Sequence, residues 1–553
     1  MWHINVKTLL ILIIWQFYLF NVGIFFHSSH SHGTKVEVIC KVDYMEKIKI
    51  DFITLRDGIV NISGYLKRNS VNSEIIVLVN GIKIVPNSYD YPTRSDESIY
   101  NFDFQIPINK KNTIIEIKTN EGNCPLEFRK YCNLSEYSNY YVKDNKIVFF
   151  NGSFNIVNYS YFKMFKFEIK GILKLIKHRP AFFTQAIFFR LLYIVLYPIF
   201  KNREIWIIMD RKTLADDNAE HFFKYALSQD DGIKKFFSIN QSSPDYERLT
   251  KEYDNVLAFE SIKHRFYYTF AKKVISSQGS EFYLNPFKNR NYYQTAGISN
   301  VDFYFLQHGI IKDNMSSWLR KYDRNPNLIV TSTQMEYDSL FDEGYFYDRD
   351  VIQMLGLPRY DNLNNKGLKK QIVIMPSWRN YLTNSEEVYN SEYFKRFNSL
   401  INNEKLIDYA SKKGYEIVLK PHPELLDYID LFDKNDYVKI DFYKRYQELF
   451  NESSLLITDY SSIFFDFSYL KKPIIYYQYG NDYHYDSENG YFKYKSMGFG
   501  PVVESEEKLI DTIIHYINSD CVMEDIYKKR VDNFFKYHDN KNSKRCYDWI
   551  FNH

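Results

Sequence analysis

Cysteine is nearly absent from this 553-residue chain. Cys40, Cys124, Cys132, Cys521 and Cys546 are scattered, odd in number and without metal-ligand spacing. That pattern gives no disulfide framework and fits a reducing cytosol. An excess of one charge is missing too: 71 Lys and Arg against 68 Asp and Glu leave a net charge of +3, so no global basic field argues for nucleic acid. No Gly-x-Gly-x-x-Gly fingerprint occurs, which removes the usual cradle for a dinucleotide cofactor, and no acidic pair stands out as a metal site. Apolar and aromatic side chains, in contrast, are plentiful. At 45% hydrophobic and 18% aromatic the chain can build real cores, and its length leaves room for about three domains.

Leu9 to Phe26 is nearly all apolar, broken by Gln16 and Asn21, and is just long enough to cross a bilayer. A signal peptide is disfavoured because His27-Ser-Ser-His-Ser-His32 is a poor cleavage site. A membrane anchor over residues 1–33 is the preferred reading, against a start codon placed too far upstream. Residues 36–150 change character. Lys47-Ile-Lys-Ile-Asp-Phe52 alternates with period two, Ile75 to Val85 folds back around Asn80-Gly81, and Ile106–Lys118 and Lys146–Phe150 add further strand. Short strands between turn signals predict a small β-sandwich without a catalytic cluster, an accessory domain for acceptor binding or assembly. Over residues 155–203, Lys163, Lys166, Lys170, Lys174 and Lys177 form one basic helical stripe beside Phe162, Phe165, Ile169, Leu173 and Ile176. A second apolar helix, Ala181 to Phe200, follows and ends at Pro198. This pattern predicts association with an anionic membrane surface, against the alternative of an interdomain helix pair.

A βα rhythm begins at residue 204. Strands are expected at Glu204–Met209, Lys273–Ser277, Asp302–Leu306, Leu328–Thr331 and Val351–Leu355. After a bridge near Asn362–Lys370, more follow at Gln371–Met375, Glu416–Leu419, Leu455–Thr458 and Ile474–Tyr477. Two Rossmann-like halves, 204–362 and 363–553, bind ligands outside the carboxyl ends of their strands. Three such ends carry chemistry: Gln307-His308-Gly309 leading to Lys312, Lys420-Pro421-His422-Pro423, and Thr458-Asp459-Tyr460-Ser461-Ser462 opening a helix. The serines place hydroxyls and free N–H groups where a phosphate would sit.

The Gln-His-Gly, Lys-Pro-His-Pro and Asp-Tyr-Ser-Ser segments resemble, in this order, those of the CDP-glycerol glycerophosphotransferases, the teichoic-acid polymerases and primases of bacteria. Ile205–Arg211, Asp216-Asp-Asn218, Gly356-Leu-Pro-Arg359, Met375–Arg379 and Gly490-Tyr-Phe492 add to the likeness, which covers roughly residues 203–550. It implies a GT-B pair of Rossmann-type domains within an α/β class. The implied reaction is transfer of glycerol or ribitol phosphate from a CDP-alditol donor to a lipid-linked glycan or polyol-phosphate acceptor at the cytoplasmic membrane face, with CMP leaving and no cofactor. His308 is the candidate base, and His422 and Lys420 with Ser461 and Ser462 are candidates to hold the diphosphate. Lys312 adds charge from a loop that also presents Gly309, Ile310 and Ile311. By the resemblance Arg359, Ser377, Trp378, Pro421 and Asp466 line the donor site, although Asp466 would equally serve its helix start and Trp378 a core. Relatives carry an arginine between the last strand and the Gly-Tyr-Phe motif. Gly480 to Gly490 has none, and His484 is its candidate substitute. A GT-B glycosyltransferase using a nucleotide sugar and a non-catalytic polysaccharide-binding scaffold are the competing readings. Homo-oligomerisation is left open.

Overall fold

The computed structural model of the protein describes residues 47–553 except 69–71, 92–93, 95–97, 109–111, 123, 130–131, 288–291, 343, 380 and 481–489, so Leu9–Phe26 and Cys40 lie outside the described residues. The first described unit consists of two sheets. One pairs Asn87–Ser88, Ile99–Pro107, Ile59–Lys67, Lys47–Arg56 and Leu126–Phe128, and the other Ile82–Ile84, Ile75–Val79, Asn112–Thr119, Phe154–Asn158, Lys146–Phe150 and Tyr140–Lys143. Ile48, Ile50, Ile62 and Phe102 of the first meet Val77, Ile115, Val148 and Ile156 of the second in one apolar cluster. The turn at Asn80-Gly81 has both residues at positive φ (50° and 84°), the geometry that matches strand twist in a two-residue hairpin. Lys47–Arg56 departs from strict alternation at a bulge between Ile50 and Phe52, which buries Asp51 beside Arg94 (3.1 Å) and Arg129 (2.6 Å). The expected continuous stretch Ile106–Lys118 is instead the end of one strand, a connection and the start of another.

Helices α1 (Tyr161–His178) and α2 (Phe183–Phe200) follow. α2 does not end at Pro198 but carries it inside the last turn. Proline cannot donate to the carbonyl four residues back, and that carbonyl, of Ile194, instead accepts from the Tyr161 hydroxyl at 3.2 Å. The pair is locked from within by Arg190 and Glu168, both fully buried. Arg190 Nη1 donates to both Glu168 oxygens (2.8 and 3.0 Å), and its Nε and Nη2 donate to the carbonyls of Gln294 and Ala296. Tyr140 of the two-sheet unit donates to the same carboxylate at 2.7 Å. One ionic cluster thus joins three segments.

Two parallel sheets complete the architecture. The first orders Val256–Ala258, Lys234–Ile239, Ile205–Met209, Lys273–Ser276, Asp302–Phe305, Leu328–Thr331 and Ile352–Met354. The second orders Val438–Ile440, Glu416–Leu419, Gln371–Met375, Leu455–Thr458, Ile474–Tyr477 and Val502–Val503. Strands such as Ile205–Met209 and Ile474–Tyr477 are buried along their whole length, as a sheet covered on both faces requires. Each sheet starts at its middle, works outward to one edge, then returns to the middle and continues to the other. Each therefore has a switch point beside its first strand, where ligands bind in open α/β sheets. In the first sheet the switch point follows Met209, and in the second it follows Met375. Helix α3 (Asn218–Leu227) covers the first sheet. The final helix α4 (Asn542–Asn552) crosses back to it, placing Tyr547 against Trp206 and Phe222.

Replacing Arg190 by Met is expected to lower folding stability by roughly 3–5 kcal/mol, because Glu168 would be left buried without its countercharge. The double change Arg190→Met with Glu168→Leu should recover much of that loss in urea unfolding, and a single variant as stable as the parent would contradict this reading.

Candidate active site

The two switch points face one cleft of about 710 Å³ whose lining includes Arg211, Asp217, His308, Gly309, Lys312, Arg359, Ser377, Trp378, His422, Ser461, Ser462 and Asp466. The wall contributed by the first sheet is built around the start of α3. Asp210, directly after strand Ile205–Met209, is buried and accepts from the N–H groups of Asp217 (3.1 Å), Ala219 (2.9 Å) and Glu220 (3.1 Å). Burial, together with the neighbouring Asp217 charge, pushes its carboxyl well above the usual range. Asp217 is the cap of α3 and turns its carboxylate outward. Burial would raise its pKa, but His308 and Arg359 outweigh that and hold it below the ordinary carboxylate value.

His308 follows Gln307, a non-glycine residue at φ 66°, a conformation that persists only where the surroundings enforce it. The enforcement comes from Asn218, whose Nδ2 donates to the Gln307 carbonyl at 2.6 Å while its Oδ1 accepts from the Arg359 N–H at 3.1 Å. Farther along the loop, the N–H of Ile311 donates to Glu336 Oε1 at 2.8 Å. The imidazole of His308 has one tautomer consistent with its partners. Arg211 Nη2 lies 2.9 Å from Nε2, and Asp217 Oδ2 contacts Nδ1. A guanidinium only donates and a carboxylate only accepts, so Nδ1 carries the proton and Nε2 the lone pair.

The opposite wall has the complementary arrangement. His422 Nδ1 accepts from the N–H of Glu424 at 3.3 Å, so its proton sits on Nε2, which makes no hydrogen bond among the described residues. Burial first, then the positive charge of Arg211, lowers its pKa, favouring the neutral ring. Ser461 and Ser462 occupy a turn ahead of the six-residue helix Phe464–Tyr469, with Ile463 rather than a serine at the cap. The helix thus starts later than its sequence suggests. An added Cβ on Gly309 would lie 3.6 Å from both Ser462 Oγ and Arg359 Nη2, which marks where the walls converge.

Arg359 joins them. Its Nε and Nη2 hold Asp466 (2.5 and 2.9 Å) and its Nη1 reaches Asp217 Oδ1 (2.5 Å) and the His308 carbonyl. Burial opposes its charge, yet the two carboxylates keep its pKa well above the usual value. Its guanidinium is therefore committed to protein groups, and the same contacts commit Asp466. Other expected residues are also engaged. Ser377 donates its N–H and hydroxyl to Asp459 (2.8 and 2.6 Å), and Trp378 stacks on Tyr428 at 6.1 Å. Lys312 pairs with Asp313 at 2.6 Å. Ile310 lines the cleft and packs into an apolar cluster shared by both halves. Lys420 and Pro421 are buried and do not line the cleft, and Lys420 Nζ donates to the Lys444 carbonyl at 2.7 Å. Burial lowers the Lys420 pKa to about 8. Gly490 presses on the loop from the other side, where a Cβ would meet the Lys312 carbonyl at 2.2 Å. His484 lies outside the described residues. No cluster of three or more His, Cys, Asp or Glu placed to hold a metal occurs among the described residues. Sequence reasoning assigned no role to Arg211, Asp217, Asn218 or Glu336. The Met-Asp-Arg and Asp-Asp-Asn segments were visible, but their partners are distant in sequence.

Residues 187–552 match the profile of the CDP-glycerol:poly(glycerophosphate) glycerophosphotransferases. Among curated proteins the chain is 39% identical over 502 residues to the minor teichoic acid biosynthesis protein GgaB of Bacillus subtilis, covering 87% of this chain and 54% of that protein, so it spans about half of that relative's length. It is 33% identical over 237 residues to a teichoic acid glycerol-phosphate transferase of Staphylococcus aureus, covering 39% of this chain and 57% of that one. Among solved structures, the wall teichoic acid polymerase TagF superposes with a TM-score of 0.52 at 19% identity, over 71% of this chain and 98% of TagF. This likeness extends to the GT-B-like fold.

The buried Glu336 carboxyl, pushed by burial up to about 8 from its ordinary 4.5 despite its backbone N–H partners, has a consequence for stability. Its folded pKa is raised, so its contribution is full below pH 4.5 and is lost as pH rises through about 8. Glu336→Gln should remove up to about 1.4 kcal/mol per pH unit of that decline, measured by urea unfolding between pH 5 and 8. An unchanged slope would contradict the assignment.

Proposed function

We propose, taking as premise that the chain belongs to the CDP-glycerol:poly(glycerophosphate) glycerophosphotransferase family, that it transfers glycerol phosphate or ribitol phosphate from a CDP-alditol to a hydroxyl of a membrane-linked acceptor, releasing CMP, in teichoic acid or phosphate-containing capsule synthesis. The observation that carries the reading is the pair of histidines in opposite tautomers across one cleft. His308 Nε2, its ring aligned by Asp217, takes the proton of the acceptor hydroxyl as that oxygen attacks the distal phosphorus of the donor. The phosphorus–oxygen bond to CMP breaks. His422 Nε2–H, with the hydroxyls of Ser461 and Ser462, faces the phosphate oxygens on which charge builds. Side chains and backbone N–H groups do this work in the reading, with no cofactor.

The exposed face of the helix pair supports a place on the cytoplasmic leaflet. Leu191, Val195 and Ile199 repeat every fourth residue along α2 and are exposed, as are Phe162, Leu173 and Ile176 of α1. Lys166, Lys170 and Lys177 are exposed among them. By length and composition α2 could cross a membrane, yet 39% of it is buried in the protein, which favours lying in the interface.

CMP release from CDP-glycerol and CDP-ribitol, each with a lipid-linked acceptor, tests the reaction. His308→Ala is expected to lower the rate by about 10²–10⁴-fold, and His422→Ala should also depress it strongly. A chain silent with both donors that turns over UDP-sugars would overturn the reading. For the membrane, Lys166→Gln with Lys170→Gln and Lys177→Gln should weaken binding to phosphatidylglycerol vesicles by on the order of 100-fold, at about 1 kcal/mol per lysine. Unaltered sedimentation with vesicles would refute the surface assignment.

A further inference from the structure

The lone pair that the proposed reaction needs is already occupied. Arg211 Nη2 sits 2.9 Å from His308 Nε2, and an imidazole nitrogen has only one lone pair to offer. The acceptor hydroxyl and Arg211 cannot both use it, so the base works only after the guanidinium has moved. The surroundings of Arg211 indicate where it goes. Arg359 holds two carboxylates and Arg379 holds Asp459 at 2.9 Å. Arg211 is exposed, and no carboxylate lies within ion-pair distance of it among the described residues. It projects from the switch point of the first sheet into the cleft, and its charge reaches His422 and Tyr446 on the far wall. A cation with one neutral partner and no anionic one, facing both walls, is poised for an anion.

We propose that Arg211 is a substrate-displaced cap on the base: it covers the His308 lone pair, and it moves to the transferred phosphoryl group when the donor enters. The proposal rests on the donor reading above. A phosphate oxygen accepts from a guanidinium about twice as strongly as a neutral acceptor does, so donor binding itself drives the exchange. The base is uncovered only when a phosphorus is present to be attacked, and the displaced cation then offsets charge on the oxygens of that phosphorus. Arg211 would thus be both a cover for His308 and a catalytic residue for phosphoryl transfer.

Two measurements on the full chain test the two positions. Diethyl pyrocarbonate modification, read by mass spectrometry with exposed His515 as internal reference, reports access to the His308 lone pair. Arg211→Gln is expected to raise the His308 rate by on the order of tenfold relative to His515, with Arg211→Lys between the two. Equal rates would overturn the cap. Calorimetric binding of CDP and CMP reports the second position. Arg211→Gln should weaken CDP by about 10–100-fold while CMP stays within about twofold, because only CDP carries the distal phosphate. Equal losses for both nucleotides, or no loss for either, would overturn the phosphate contact. A parent protein that binds neither nucleotide would overturn the donor reading, and the second position of Arg211 with it. The modification rates would still decide the first position.

Discussion

The site depends on one ionic chain, Asp217–Arg359–Asp466, with buried carboxylates and a partly buried guanidinium. Asp217 caps a helix on the first parallel sheet, Asp466 lies on a helix of the second, and Arg359 stands in the short 3-10 turn Pro358–Asn362 that leads from one half to the other. Withdrawing these charges from water costs desolvation, which is recovered only with good geometry and complete partners. Here the geometry is bidentate toward Asp466, and the remaining nitrogen reaches Asp217 and the His308 carbonyl. Such a chain stores specificity more than stability, because its charges are satisfied at one mutual position of the halves.

That position also sets the chemistry. The carboxylate that receives Arg359 on one oxygen receives the His308 ring on the other. The alignment of the halves and the tautomer of His308 are therefore one constraint. Asn218 adds a second tie by gripping the Gln307 carbonyl and the Arg359 N–H at once, and Glu336 anchors the loop beyond. Side chains held by such supports need little reorganisation when charge changes beside them. The two-sheet unit and the helix pair stand apart from this chemistry. They are joined to the first half through Arg190 and through the Lys143–Asp302 pair at 2.6 Å, so the helix pair and the first half belong to one continuous scaffold.

Much of this was legible in the sequence, and for a physical reason. Strands buried on both faces read as uninterrupted apolar runs, and the residues after them fall at the carboxyl edge whatever the rest of the chain does. His308, His422, Ser461 and Ser462 were found on that basis, and all four line the cleft. The strands Lys234–Ile239 and Val256–Ala258 were missed, the first because it opens with two lysines and the second because it is three residues long. Lys420 sits at a strand end yet turns inward to a carbonyl, and spacing does not reveal such a choice. Arg359 and Asp466 were named for the donor site and both line the cleft, but their pairing with each other across 107 positions of sequence was not visible. Pairings of that kind are decided by topology, which is why Asp217, though inside the recognised Asp216-Asp-Asn218 segment, carried no visible role.

The most direct test of the account is a double-mutant cycle on kcat/KM for CMP release between Asp466→Asn and His308→Ala, two residues linked only through Arg359 and Asp217. If Asp466 acts by aligning the base, its substitution should cost far less once His308 is gone, with an interaction energy on the order of 1–3 kcal/mol. Strictly additive losses would mean that Asp466 serves the donor directly, and would contradict the coupling of half alignment to the base.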